Sequence, residues 1–193
     1  AQPISQTICS PSVATLSVTV SGTNATYQWH QDGISITGAT SNTYTTTSTG
    51  NYYVVVSNSC NSATSSVATL TNNTTTAINA QPTSVTTCAG TSASFSVSAT
   101  GTNLSYQWYK NGVLINGATN ANFTLSNVQS ANAGTYSVTV NGGCNIVTST
   151  GATLTVNNAI AITAQPVSQA ICSPTVATLS VTATGTAPTY QWY

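Results

Sequence analysis

The chain repeats itself, and this limits the fold more than any other feature. Ala-Gln-Pro occurs at Ala1, Ala80 and Ala164, and Tyr-Gln-Trp at Tyr27, Tyr106 and Tyr190. Trp29, Trp108 and Trp192 stand 79 and then 84 residues apart, and Cys9, Cys88 and Cys172 take the same two steps. A fixed period of this length means one structural unit per repeat. The expected domains are 1–79, 80–163, and the N-terminal part (strands A to C) of a third at 164–193.

The five extra residues of the second period fall in one place. Trp29 to Tyr44 and Trp108 to Phe123 are both 15 residues, and Tyr52 to Cys60 and Tyr136 to Cys144 are both 8. Tyr44 to Tyr52 is 8, whereas Phe123 to Tyr136 is 13. The difference therefore lies in a single connection, where loops tolerate insertion. Residues 165–193 match residues 2–30 at 21 of 29 positions. That suggests an alternating two-domain unit in a longer chain.

Within each repeat, apolar residues alternate with polar ones. Ala93, Phe95, Val97 and Ala99 are interleaved with serines, and Tyr136, Val138 and Val140 follow the same rule. The first repeat runs in parallel at Ala14, Leu16, Val18 and Val20, then at Tyr52, Val54 and Val56. Period 2 is the signature of half-buried strands, and helical spacing is absent. Asn111-Gly112 and Asp32-Gly33 suit tight hairpin turns, because both turn positions need positive φ. About seven short strands per repeat predict a small antiparallel sandwich. The fold class is all-β.

Charge is nearly missing: Asp32, Lys110 and His30 are the only acid, base and histidine. An ordinary domain is about 25% charged. No basic patch exists to neutralise phosphates, so nucleic acid is not an expected partner. No apolar run approaches the ~20 residues of a spanning helix, so membrane insertion is not expected either. The chain opens at Ala1 without a methionine or a signal peptide, and reads as a piece of a mature, processed protein.

A resemblance now enters, carried by order and spacing over the whole chain. Gln-Pro, Gly-Thr-Ser-Ala-Ser-Phe-Ser-Val, Tyr-Gln-Trp-Tyr-Lys-Asn-Gly, Ala-Gly-Thr-Tyr-Ser-Val and Ala-Thr-Leu-Thr-Val follow one another in the second repeat. This order resembles an immunoglobulin domain. The resemblance implies that Trp29, Trp108 and Trp192 are strand-C core tryptophans and that Tyr52 and Tyr136 are buried tyrosine corners. It departs from the family at the strand B to strand F disulfide. Val18 and Val54, and Val97 and Val138, stand at those positions. The cysteines lie ahead of strand B and after strand F. The expected bridges are Cys9–Cys60 and Cys88–Cys144, each inside one repeat, with Cys172 paired beyond the chain end. Each closes a loop worth roughly 4 kcal/mol.

The shifted cysteines, the Gln-Pro opening and the Tyr-Gln-Trp-Tyr-Lys-Asn-Gly strand are similar to the immunoglobulin-like repeats of giant Bacteroidota cell-surface adhesins. Those are exported by type IX secretion, and the SprB-type gliding adhesins are one example. The resemblance implies an extracellular, cell-surface location and neighbouring immunoglobulin-like domains of the same longer chain as partners. Stacked, stapled sandwiches of this kind form an extended, protease-resistant rod.

Chemistry has few candidates. His30 and Asp32 stand two residues apart, but Asp-Gly is ordinary turn chemistry and the second repeat has Tyr109 and Asn111 there. One aspartate cannot build a carboxylate cage for calcium. No catalytic residue, cofactor or metal is expected, and the protein is not read as an enzyme. Lys110 could suggest an isopeptide crosslink, yet the first repeat has Gln31 in its place. Outward aromatics remain as ligand candidates. His30 and Tyr53 are expected on one outer face beside Val55, with Tyr109 as the counterpart of His30. Such rings can stack on surface glycans or touch other filament subunits. The leading expectation is a structural or adhesive segment of a secreted filament serving attachment or gliding. The alternatives are a carbohydrate-binding module and accessory domains of a secreted enzyme.

Overall fold

A computed structural model describes residues 1–193. The first repeat forms β1 (Gln6–Cys9), β2 (Ala14–Ser17), β3 (Thr26–Gln31), β4 (Ile34–Ser35), β5 (Thr43–Thr46), β6 (Gly50–Ser57), β7 (Ser62–Thr64) and β8 (Ala68–Asn73). One sheet runs β1-β8-β6-β3-β4, with β7 also on β6, and β2 pairs with β5 in the other layer. Ala14, Leu16, Trp29, Tyr52, Val54, Ala68 and Leu70 point inward and are buried. Their spacing within each strand is the period of two expected of a half-buried sheet.

The second repeat forms β9 (Ala77–Ala80), β10 (Val85–Cys88), β11 (Ala93–Ser96), β12 (Ser98–Thr100), β13 (Ser105–Lys110), β14 (Val113–Leu114), β15 (Asn122–Leu125), β16 (Gly134–Asn141), β17 (Ile146–Thr148) and β18 (Ala152–Asn157). Its sheet order β10-β18-β16-β13-β14 copies the first, and β11 pairs with β15 as β2 does with β5. β9 pairs with β12. Val97 and Val138, like Val18 and Val54, are core residues. The third repeat contributes only β19 (Ala161–Ala164) and β20 (Thr182–Thr184), paired antiparallel.

The repeated motifs turn out to be hydrogen-bonding devices. The Gln28 amide donates to the carbonyls of Trp29 and Ile36 at 3.0 and 2.7 Å, and Gln107 does the same to Trp108 and Ile115 at 2.9 and 2.8 Å. The tryptophan indoles donate to Ser41 and Asn120 carbonyls, each at 2.9 Å. Gln2 and Gln81, of the Ala-Gln-Pro motif, accept from the Ser66 and Thr150 amides at 2.9 Å. The part-buried glutamine amides and indoles of the two Tyr-Gln-Trp strands are thus paired, as an apolar interior demands.

The chain clusters into two compact units. One holds Ala1–Ala77 together with Ala99–Leu104 and Asn141–Val147; the other holds Ile78–Ser98, Ser105–Val140 and Thr148–Tyr193. Unit boundaries therefore differ from repeat boundaries, because two loops of the second repeat pack with the first sandwich.

Two expectations need correcting. The disulfide joins Cys9 to Cys144, with Cα atoms 5.6 Å apart, while Cys60, Cys88 and Cys172 are free. Neither Cys9–Cys60 nor Cys88–Cys144 forms, and strand direction explains why. β1 runs parallel to β8, with Cys9 opposite Asn73, the last residue of β8. β6 runs antiparallel to β8. It therefore begins at the end of the sheet where β1 finishes, and Cys60 follows its far end. Eight strand residues separate the two ends, roughly 25 Å at the rise of a strand. A disulfide needs Cα atoms within about 7 Å. The same polarity holds for Cys88 on β10 and Cys144 after β16.

The second correction concerns Trp192. Trp29 and Trp108 are fully buried, but Trp192 is 49% exposed. Between Ala164, the last residue of β19, and Tyr193 the one further strand is β20, so no second sheet covers the ring.

Candidate functional site

The three chargeable side chains all have structural work. Asp32 and Gly33 have φ of 48° and 87°, and Asn111 and Gly112 have 50° and 78°. Both pairs make two-residue turns of the mirror-image type expected from their sequence. An Asp32 carboxylate oxygen accepts from the Asn51 amide at 2.9 Å, and Asn111 accepts from Thr135 at the same distance. Gly134 follows from this: a Cβ there would lie 2.7 Å from the Asn111 Oδ1. The Lys110 ammonium donates to the Ala131 carbonyl. In the first repeat the Gln31 amide donates to Thr49 at 3.0 Å. Lys110 and Gln31 are thus both ties across a loop. No group of three metal-ligating side chains is present.

The tyrosine corners close identically. Tyr52 donates to the Ser48 carbonyl and Tyr136 to the Asn132 carbonyl, each at 2.7 Å. Burial pushes both phenols above their ordinary pKa.

His30 and Tyr53 are directly opposite on β3 and β6. Their rings stack with centroids 4.7 Å apart and planes 3° from parallel. The His30 Nδ1 lies 3.2 Å from the Gln28 carbonyl, which orients the ring. Gln28 and Val55 are the adjoining cross-strand pair. Tyr109 has no matching ring: the residue after the buried Tyr136, where the first repeat has Tyr53, is Ser137, and on β14 Tyr109 faces Leu114 as His30 faces Ser35 on β4. The flat aromatic platform belongs to the first repeat alone.

A second site was not apparent from the sequence. Residues 73–76 meet the loops 99–104 and 141–147 inside the first unit. The Thr76 amide donates to Asn145 Oδ1 at 2.7 Å, and the Asn145 amide returns a bond to the Thr76 carbonyl at 3.1 Å. The Thr74 amide donates to Thr102 Oγ1 at 2.9 Å. Three glycines admit this close approach. A Cβ on Gly101 would stand 3.1 Å from Thr76 Cα, on Gly142 2.1 Å from its hydroxyl, and on Gly143 2.3 Å from Asn73 Nδ2. The Cys9–Cys144 bridge locks the same joint. Its sequence signal was the recurrence of Asn61 as Asn145 and of Gly22 as Gly101 and Gly185.

The immunoglobulin domain family matches residues 77–141. No curated protein matches the chain in sequence. Among solved structures, a three-domain I-band fragment of titin superposes with a TM-score of 0.69 at 16% identity, over 86% of this chain and 67% of that one. The N-terminal four immunoglobulin domains of Dscam1 superpose with a TM-score of 0.56 at 19% identity, over 79% of this chain and 43% of that one. The N-terminal eight domains of the Down syndrome cell adhesion molecule give 0.57 at 19%, over 83% and 28%. The chain thus spans less than half of these last two. In fold it is a tandem of immunoglobulin-like domains.

Proposed function

We propose that this chain is a structural and adhesive segment of a large secreted bacterial cell-surface filament, serving attachment or gliding. The covalent joint between successive repeats, Cys9–Cys144, carries the reading. A disulfide belongs to an oxidising, extracytoplasmic compartment. No helix of the chain is long and apolar enough to cross a membrane. A joint that is bonded, glycine-lined and hydrogen-bonded suits a segment that transmits load along a longer chain of like domains. The segment has no catalytic role in this reading, since Asp32, Lys110 and His30 are each engaged in turns, ties or stacking. Antibody against residues 1–163 should label intact cells of the source organism, and deleting the array should abolish surface attachment. Labelling only after lysis would sink the proposal.

The His30–Tyr53 platform favours a second reading, a carbohydrate-binding module. Stacked rings on an open sheet face fit the apolar face of a sugar. Binding on a glycan array that disappears in His30→Ala and Tyr53→Ala would select it over the stalk. Accessory domains of a secreted enzyme are a third reading, which a catalytic domain elsewhere in the full chain would establish.

A further inference from the structure

We infer that every domain boundary of this array carries the same staple, so that Cys88 bonds to the cysteine after strand F of the domain begun at residues 164–193. The inference rests on the reading of the chain as part of a longer tandem array. Strand polarity excludes Cys144 as the partner of Cys88: the two lie at opposite ends of one sheet. Cys88 instead repeats the setting of Cys9. It stands opposite Asn157, the last residue of β18, as Cys9 stands opposite Asn73 on β8.

The joint around it is also rebuilt. The Asn158 amide donates to Thr186 Oγ1 at 2.7 Å, the counterpart of Thr74 on Thr102. A Cβ on Gly185 would stand 2.8 Å from Ile160 Cα, the counterpart of Gly101 against Thr76. The missing piece is the loop equivalent to 141–147, with its cysteine.

The first repeat shows the other half of the same joint. Gly22 has φ of +142° against +148° for Gly101, yet nothing lies within 4 Å of its Cβ direction. Gly22, Val20, Val56, Asn58 and Asn61 line an open groove. Gly22, Asn58 and Asn61 are the counterparts of Gly101, Gly142 and Asn145, which close on Thr76 in the second repeat. The occupant of the groove is the linker of a preceding like domain, and free Cys60 is the partner of that domain's Cys9 equivalent. Cys172 likewise pairs one domain further on. Each bridge forms as two thiols lose two protons and two electrons to a disulfide-bearing oxidoreductase, which leaves as a dithiol. Bridges placed this way overlap, so the Cys9–Cys144 loop already encloses Cys88. No domain can then be pulled out without breaking a covalent bond.

The test uses the full-length secreted chain, alkylated without reduction and cut with chymotrypsin, because residues 1–193 offer trypsin only Lys110. Cuts after Leu16, Leu70, Phe95, Tyr136, Leu154 and Leu179 place all five cysteines in separate peptides. Peptide 71–95 should be linked to a peptide from beyond Tyr193 and be released on reduction. Cys88 linked to Cys144 or Cys60, or found alkylated, overturns the inference. In Cys88→Ser, one new reactive thiol should appear downstream of Tyr193; its appearance at Cys144 overturns it equally. A full-length sequence with no immunoglobulin-like domain completing residues 164–193 removes the array reading itself. A completed domain with Cys88 paired elsewhere removes only the staple.

Discussion

The connection ahead of the buried tyrosine differs between the two complete domains. In the first, Thr46 runs to Gly50 almost directly, and Ser48 offers its carbonyl to Tyr52. In the second, five more residues form a 3-10 turn at Ser130–Asn132, and Asn132 offers the carbonyl to Tyr136. The acceptor stays four residues before the tyrosine in both. What changes is how the loop is held. The longer loop buries Val128 completely and ties it across the turn after Cys88, with Val128 donating to Thr91 at 2.8 Å and accepting from Gly90 at 2.7 Å. The first domain buries Ile8 on its strand, where the second has Thr87. An insertion is thus accommodated when it brings its own apolar plug and leaves the tyrosine geometry alone.

The largest expected effect tests the covalent joint rather than either loop. Cys9→Ser, or reduction, opens a closed loop of 135 residues and should lower the stability of the first unit by about 5 kcal/mol. Denaturant midpoints with and without reductant measure it; coincident curves would show that the joint adds nothing. Next, Val128→Ala should destabilise the second domain by roughly 2 kcal/mol, through lost burial and the cavity left behind. The first domain should not respond. If both domains shift together, the plug is not local to the insertion.

Tyr52→Phe and Tyr136→Phe should each cost about 1 kcal/mol, the net worth of one buried hydrogen bond. Equal losses support a shared corner; a clear inequality would show that the longer loop holds its tyrosine differently. The same phenols set the pH response. Their folded-state pKa is raised by burial, so folding favours the neutral form. That stability is fully present below the ordinary tyrosine value near ~10. It is lost as pH climbs through the raised folded value. Urea titrations between about pH 9 and about pH 12 should show the decline, and the double phenylalanine variant should flatten it. The smallest effect is that of Lys110→Gln, which copies the first domain's Gln31 and should change stability by less than about 0.5 kcal/mol.

Much of the fold was legible because local chemistry repeats. The period of two in Ala93, Phe95 and Val97 placed an inward face, and Asn111-Gly112 placed a hairpin. Tyr-Gln-Trp marked a strand whose glutamine and indole both need carbonyl partners. His30 and Tyr53 were placed on one face by alternation together with the strand C and strand F positions that the immunoglobulin resemblance implies, and the structure brings their rings into a stack. The cysteines were another matter. Equal spacing in every repeat serves pairing within a repeat and pairing with a neighbour alike, so period alone could not separate Cys9–Cys60 from Cys9–Cys144. The topology held the answer, since a strand parallel to β8 and a strand antiparallel to it end at opposite edges. Trp192 misled for a related reason. Its motif names a core position, but burial depends on facing strands that residues 164–193 do not contain.

By itself the sequence determined which residues face inward and where the chain turns. Those are short-range properties of alternation, turn dihedrals and hydrogen-bonding side chains. Only the tertiary structure decided which cysteines meet, which glycines a neighbouring linker presses on, and that Asn145 clasps Thr76. Those depend on strand direction and on segments about 70 to 135 residues apart, and chain proximity carries no information about them.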